Sequence, residues 1–304
     1  MYYLARVFPI LNRVKLPLTR DQLMLLMAAV NLFFLGLDIY LAHSISGTIV
    51  LYEWIPIIFG PFAGALLLVA GIVALRKRDL ATVIANVIFL TSVAVGLLGA
   101  YFHVVRAVLP TGPIGARVNI DLLVWAPPIL GPLTFSLVGL IGISAVWLED
   151  PADSGRLALL SKRRIQLPYS KTQAYLFIVG LGTLATLISS VLDHARTNFH
   201  NPWLWVPITA GVFGTVVAAA LGSMDRPSRG DIIVYISAMV LLLITGVVGS
   251  VLHIQEDLTA QGTFVLERFI RGAPFLAPLL FANMGTLGLI VLLDPRESPT
   301  ETNI

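Results

Sequence analysis

Long apolar runs separated by short polar segments dominate the chain. A helix that crosses a membrane needs roughly 20 apolar residues. Eight such runs fit the sequence, at about 22–43, 54–75, 80–103, 122–148, 172–195, 203–223, 232–253 and 272–293. The pattern therefore predicts an all-α integral membrane protein with eight transmembrane helices and little chain left for a soluble domain.

Composition and charge agree with this pattern. Hydrophobic residues make up 57% of the 304, charged residues only 12%, and the mean hydropathy is +0.87. Most of the 20 Lys and Arg fall in the N-terminal segment, the turns near 76–79 and 225–231, the 149–171 connection and the C-terminal tail. By the positive-inside rule these segments and both termini are cytoplasmic. The positive charge thus marks the cytoplasmic side of the membrane, and it predicts contact with membrane lipid and no nucleic-acid partner. We expect a multi-pass protein of the cell membrane, which in a bacterium is the inner membrane.

The chain also repeats itself. Gly96–His103 (GLLGAYFH) resembles Gly246–His253 (GVVGSVLH) 150 residues later, each closing an apolar helix. The segments 13–22 and 164–173 match at an offset of 151, and 128–135 matches 274–281 at 146. Since four helices per copy is an even number, we expect two tandem four-helix repeats in the same orientation, related by a pseudo-twofold axis along the membrane normal.

These matches divide the chain into five parts. They are an interfacial N-terminal segment 1–12, a first repeat 13–150, a cytoplasmic linker 151–163, a second repeat 164–295, and a polar tail 296–304 that we expect to be disordered.

Two repeated features concern helix shape. A pair of prolines four residues apart begins the last apolar run of each half, Pro128/Pro132 and Pro274/Pro278, and predicts a kink or a loosened first turn. The repeated glycines indicate close helix packing.

The middle of every span lacks ionisable residues, which argues against an ion-driven transporter. The mid-span amide of Asn86 is expected to form hydrogen bonds between helices.

All five histidines lie at the extracytoplasmic ends of the predicted spans or just beyond them. Two histidines and one carboxylate recur in each half, with Asp121 and Glu267 aligned at an offset of 146. The candidate metal ligands are His43, His103 and Asp121 in the first half, and His194, His253 and Glu267 in the second. Asp38 and Asp193 are expected to point away from the neighbouring histidines. His200 has no counterpart and is treated as accessory.

Two neutral imidazoles and one carboxylate suit Fe(II), Mn(II) or Zn(II) and leave coordination positions open. Haem b held by two imidazoles is the alternative cofactor. Because the chain has no cysteine, thiolate ligands, iron–sulfur clusters and covalently attached haem are excluded. A simpler interpretation also stands, in which interfacial histidines hydrogen-bond water and lipid headgroups.

Three classes of function remain open at this point. The first is a membrane oxidoreductase or hydrolase that uses the metal sites on an apolar substrate. The second is a carrier or channel for a neutral solute, suggested by duplicated halves and proline-broken helices. The third is a non-catalytic membrane subunit that anchors a partner complex. The sequence does not decide between enzyme and non-enzyme, and it predicts no oligomeric state.

Overall fold

The computed structural model describes residues 3–13, 16–44, 49–108, 124, 128–160, 163–259 and 265–295. The elements of this part are, in chain order, α1 (Tyr3–Val7), α2 (Arg20–Ser44), α3 (Trp54–Ala74), α4 (Arg78–Val108), α5 (Leu130–Val146), β1 (Leu148–Glu149), β2 (Arg156–Leu160), β3 (Arg163–Gln166), α6 (Lys171–Ala195), α7 (Trp205–Gly222), α8 (Arg229–Thr259), α9 (Leu266–Arg271) and α10 (Leu279–Val291). Short 3-10 turns, Pro9–Arg13, Leu51–Glu53 and Pro202–Leu204, precede α2, α3 and α7. The protein is nearly all-α.

Six helices of the described chain, α2, α3, α4, α6, α7 and α8, are long and apolar enough to cross a membrane. Their outer faces carry large apolar side chains in the open, such as Ile72 (69% exposed), Leu90 (60%) and Val216 (60%). A soluble protein rarely exposes so much contiguous apolar surface. The fold is that of a multi-pass membrane protein.

The last apolar helix of each half is shorter than its predicted span. The run 122–148 yields α5 with 17 residues, and the run 272–293 yields α10 with 13. Part of 122–148 lies outside the described residues. Prolines account for the late start of α10, because Pro278 has no N–H to donate to the carbonyl of Pro274 in an α-helical bond. Residues 274–281 instead form a series of turns with hydrogen bonds from residue i+3 to residue i, including Ala277 N to Pro274 O at 3.1 Å.

The helices form two four-helix bundles with the same internal contacts. In the first, α2 packs on α3, α3 on α4, α4 on α5, and α5 back on α2. In the second, α6 packs on α7, α7 on α8, α8 on α10, and α10 back on α6. The bundles meet through α5 with α6 and through α10 with α2. Each bundle buries its own core, and Met24 and Ile141 of the first half join the core of the second.

The N-terminal segment, which we expected only to lie at the membrane interface, packs against the second bundle. Its helix α1 packs against α8 of the second bundle. Leu4 N donates to Leu292 O (3.3 Å), the Arg6 guanidinium donates to Pro227 O (3.0 Å), and Val7 O accepts from Arg229 (3.2 Å). The segment that precedes the first bundle therefore closes one end of the second.

The connection between the bundles contains a small antiparallel sheet, β1-β2-β3, where the sequence predicted only a linker at 151–163. The Glu149 carboxylate accepts hydrogen bonds from the backbone N–H groups of Asp153, Gly155 and Lys171, at 3.0, 2.7 and 2.8 Å. Gly155 has a φ of +72°, a conformation that favours glycine. Strands of two, five and four residues are far shorter than a membrane span, so the search for long apolar runs does not detect this sheet.

A buried charge cluster joins the first turns of α2 and α6. Lys171 is 1% exposed, and its ammonium group donates to the Asp21 carboxylate and to Trp147 O (2.6 Å). Arg20 is 2% exposed and donates to the Thr172 hydroxyl (2.7 Å). The contacts are reciprocal, because Arg20 aligns with Lys171 and Asp21 with Thr172 at the offset of 151. Each cation thus binds the residue that follows the other cation in sequence.

Loss of one partner of this cluster should strongly destabilise the protein. We expect Lys171→Met to lower the free energy of unfolding by about 2–4 kcal/mol, since it removes the ammonium group that the Asp21 carboxylate binds and leaves that carboxylate only Arg20 Nε, at 3.5 Å, as a cationic neighbour. The matched control, Arg164→Met, removes an ion pair with Asp150 that is more than half exposed (3.6 Å) and should cost less than about 1 kcal/mol. Thermal unfolding in detergent measures both. Equal effects of the two variants would contradict a structural role for the buried pair.

Candidate functional site

The four repeated histidines lie near the C-terminal ends of α2, α4, α6 and α8. His43 and His103 come together in the first bundle, where their ring centroids are 6.2 Å apart and the rings meet edge to face. In the second bundle, His253 lies close enough to His194 and Asp193 for their charges to interact. The first half therefore places two imidazoles side by side, and the second brings its two imidazoles within range of an electrostatic interaction.

The imidazoles are anchored through Nδ1 in both halves. His43 Nδ1 lies 2.8 Å from Ile39 O, and its counterpart His194 Nδ1 lies 3.3 Å from the hydroxyl of Ser190, which aligns with Ile39. His103 Nδ1 lies 2.9 Å from Pro128 O, and His253 Nδ1 lies 3.1 Å from Pro274 O. Each hydrogen bond of one half thus joins the same two aligned positions as its counterpart in the other half.

Proline chemistry explains the anchors of His103 and His253. In a regular helix, the carbonyl of residue 128 would accept from the N–H of residue 132, but Pro132 has none. The same holds for Pro274 and Pro278. Each of these carbonyls instead accepts from the N–H three residues further on, Gly131 N at 3.2 Å and Ala277 N at 3.1 Å, and its second lone pair accepts from the histidine of the neighbouring helix. The repeated prolines and the repeated histidines are parts of one arrangement.

The anchors also fix the tautomer of three imidazoles. A carbonyl oxygen only accepts, so Nδ1 of His43, His103 and His253 carries the proton. In the neutral ring Nε2 then holds the lone pair, which is the atom available to a metal ion. Metal-ligating histidines commonly donate their other N–H to a carbonyl in this way.

Two acids line the same cleft as the first pair, which has a volume of about 140 Å³. Glu53, 8% exposed, accepts from Val50 N (2.9 Å) and places a carboxylate oxygen 3.8 Å from His43 Nε2. Asp38 also borders this cleft, and the expectation that it points away from His43 stays a prediction. Glu53 was not chosen as a ligand from the sequence, because its counterpart, Leu204, is not acidic.

Glycines let the helices that carry this site approach closely. A Cβ on Gly99 would lie 2.7 Å from the Pro132 side chain, and one on Gly249 would lie 2.9 Å from the equivalent atom of Pro278. Cβ atoms on Gly96 and Gly246 would collide with the backbone of Ser136 and Ala282. These approaches bring α4 onto α5, and α8 onto α10, so that the histidines reach the proline carbonyls.

The predicted carboxylates have different outcomes. Asp121 lies outside the described residues. Glu267 lies on α9 with an exposed side chain. In the part of the chain that is described, no three His, Asp or Glu side chains are grouped so as to hold a metal ion, so Glu267 does not complete a triad with His194 and His253. His200 is exposed.

Several aromatic residues lie near the ends of the helices that carry the histidines. Trp54 and Trp205 begin α3 and α7 and are 39% and 52% exposed. Trp205 stacks on Phe199, and Tyr52 stacks on Phe102, with ring centroids 4.9 and 4.7 Å apart. The Asn86 amide bonds between helices as predicted, since its oxygen accepts from the Trp147 indole (2.9 Å).

Comparisons with protein-family models, with curated proteins and with solved structures find no match to this chain.

Alanine at the close glycine contacts should separate the helices that position the histidines. We expect Gly96→Ala and Gly246→Ala each to lower the free energy of unfolding by about 1–3 kcal/mol, because the added methyl group meets backbone atoms that cannot yield. Gly71→Ala is the matched control, since nothing lies within 4 Å of its Cβ position. It should leave stability unchanged or raise it by about 0.5–1 kcal/mol. Thermal unfolding in detergent distinguishes these outcomes, and a stable Gly96→Ala protein would refute the contact.

Proposed function

We propose that the protein spans the membrane eight times as two tandem four-helix repeats with both termini in the cytoplasm. The six long helices supply six spans. The short helices α5 and α10 supply the other two together with the proline turns that precede them. The basic segments near Arg76 and Lys171 then share the cytoplasmic side, opposite the histidines.

The repeat is supported by contacts as well as by sequence. The starts of α2 and α6 carry the same capping box, in which Thr19 pairs with Gln22 and Ser170 with Gln173, with distances of 2.9 and 3.2 Å in both. Bonds of this kind depend on side-chain chemistry rather than on hydrophobicity. Their recurrence favours a duplicated unit over two unrelated bundles.

We further propose that each histidine pair binds a divalent metal ion at the extracytoplasmic end of its repeat. The observation that carries this proposal is the anchoring of the paired imidazoles through Nδ1, which directs Nε2 to the role of ligand. With metal–nitrogen bonds of about 2 Å, two imidazoles that share one ion have ring centres roughly 5–6 Å apart, close to the 6.2 Å between His43 and His103.

The oxygen ligands would differ between the halves. In the first half, Glu53 and Asp38 border the cleft with the two imidazoles, and Asp121, which lies outside the described residues, stays the predicted carboxylate ligand. In the second half, Asp193 is the acid whose charge interacts with His253. A bound ion would acidify a coordinated water or activate oxygen, which fits a membrane hydrolase or oxidoreductase with an apolar substrate.

Metal analysis of the purified protein tests this proposal. We expect wild-type protein, dialysed against Zn²⁺ or Fe²⁺ and then freed of excess ion, to retain about one ion per histidine pair. His43→Ala with His103→Ala should remove one ion, and His194→Ala with His253→Ala the other. His200→Ala is the control and should retain both metal ions, because that side chain is exposed and has no histidine counterpart in the first half.

The same samples separate the other interpretations. A Soret band that disappears in both double variants would replace the metal ion by haem b. Negligible metal in wild type and variants alike would overturn the proposal and leave the histidines as donors to the proline carbonyls. Loss of metal from His200→Ala equal to that from the pairs would show that binding is not specific to them.

A further inference from the structure

A second cavity lies in the first bundle at the end opposite the histidines. Its volume is about 560 Å³, and it is enclosed by α2, α3, α4 and the end of α5. The walls are mainly small or aliphatic, and the cavity opens between α2 and α3 beside the exposed side chains of Leu26 and Leu68. Two arginines, Arg76 and Arg78, stand at its end. The size and the apolar lining are those of a ligand-binding pocket.

The second bundle fills the equivalent space. Ala85 and Thr82 border the cavity, whereas their counterparts at the offset of 150, Tyr235 and Ile232, are both 0% exposed and belong to the core. The Tyr235 hydroxyl donates to Gly288 O at 3.1 Å. Helix α1 adds Val7 to the same core. The cavity is therefore a property of the first half and not of the repeated unit.

The first bundle, which has the cavity, also has more positive charge at this end than the second bundle. The turn between α3 and α4 carries three cations, Arg76, Lys77 and Arg78, and one acid, Asp79. The turn between α7 and α8 has two of each, namely Asp225, Arg226, Arg229 and Asp231. Asp21, which also borders the cavity, is bound to Lys171. The open bundle thus has the more positive end.

From this juxtaposition we propose that the cavity of the first bundle binds one anionic phospholipid. The acyl chain lies along the apolar walls between α2, α3 and α4, and the phosphate group binds Arg76 and Arg78. Basic pockets between transmembrane helices recognise anionic headgroups in this manner. The cavity is open to the surface beside the exposed apolar side chains of Leu26 and Leu68. In a bilayer such a surface faces lipid, so an acyl chain is the occupant of matching chemistry.

Native mass spectrometry of the full chain tests the proposal, with phosphatidylglycerol and phosphatidylcholine supplied in equal amounts. We expect one phosphatidylglycerol retained per chain in preference to phosphatidylcholine. Arg76→Gln with Arg78→Gln should weaken retention of phosphatidylglycerol by roughly tenfold or more, since each basic residue contributes to headgroup attraction. The matched control is Arg226→Gln, the counterpart of Arg76 in the filled bundle, which should change nothing.

A second variant tests the apolar part of the site independently of charge. Ala85→Tyr introduces the residue of the second bundle and should abolish retention of the lipid while leaving the protein folded, as thermal unfolding will check. Inorganic phosphate should not displace the lipid, because it lacks the chain. Equal retention of both lipids, retention unchanged in Ala85→Tyr, or a dimer in place of the lipid adduct would overturn the proposal. Metal content is read separately, since the histidines lie at the other end of the bundle.

Discussion

Two buried cations set the relation between the two bundles. Arg20 and Lys171 are almost inaccessible, and each donates a hydrogen bond to a residue of the other half. A charge removed from water is tolerable only with a partner in good geometry, so a shift between α2 and α6 would leave a buried charge unpaired. The Tyr175 ring lies beside both cations and its hydroxyl donates to Asp21 (3.1 Å). The cluster specifies one arrangement of the bundles.

A second constraint acts at the opposite end, where prolines interrupt helical hydrogen bonding. Each pair removes the i+4 donor of one carbonyl, which accepts an i+3 backbone bond instead and keeps a lone pair for a neighbouring helix. His103 and His253 donate to these carbonyls, and the glycines of α4 and α8 bring them within reach. The structural role of these histidines and a role as ligands use different ring nitrogens. One imidazole can therefore serve both.

Much of the helical layout could be predicted from sequence, because a membrane span leaves a long apolar run. The positions of the histidines at one end of the molecule follow from the same runs. The choice of acids could not be predicted this way. Glu53 lies in the 3-10 turn before α3 and meets His43, near the end of α2, through a tertiary contact that no apolar run encodes. Asp38 borders the same cleft.

The buried cluster was missed for a related reason. Arg20, Asp21 and Lys171 lie at the ends of apolar runs, where charge normally faces water and the positive-inside rule explains it. Their burial arises from the meeting of two helices far apart in sequence. A signal was nevertheless present, because the match between 13–22 and 164–173 lies outside the apolar runs and so cannot result from shared hydrophobicity. Alignment of polar residues, rather than apolar ones, was the clue to tertiary contact.

The two bundles differ most where the sequence match is weakest in side-chain volume. Tyr235 and Ile232 occupy in one half what Ala85 and Thr82 leave open in the other, although the backbone contacts of α4 with α5 and of α8 with α10 correspond. Helix packing through glycine depends on backbone approach and is insensitive to such changes further along the helix. Two bundles with the same helix contacts can therefore differ inside, one with a closed core and the other with a cavity.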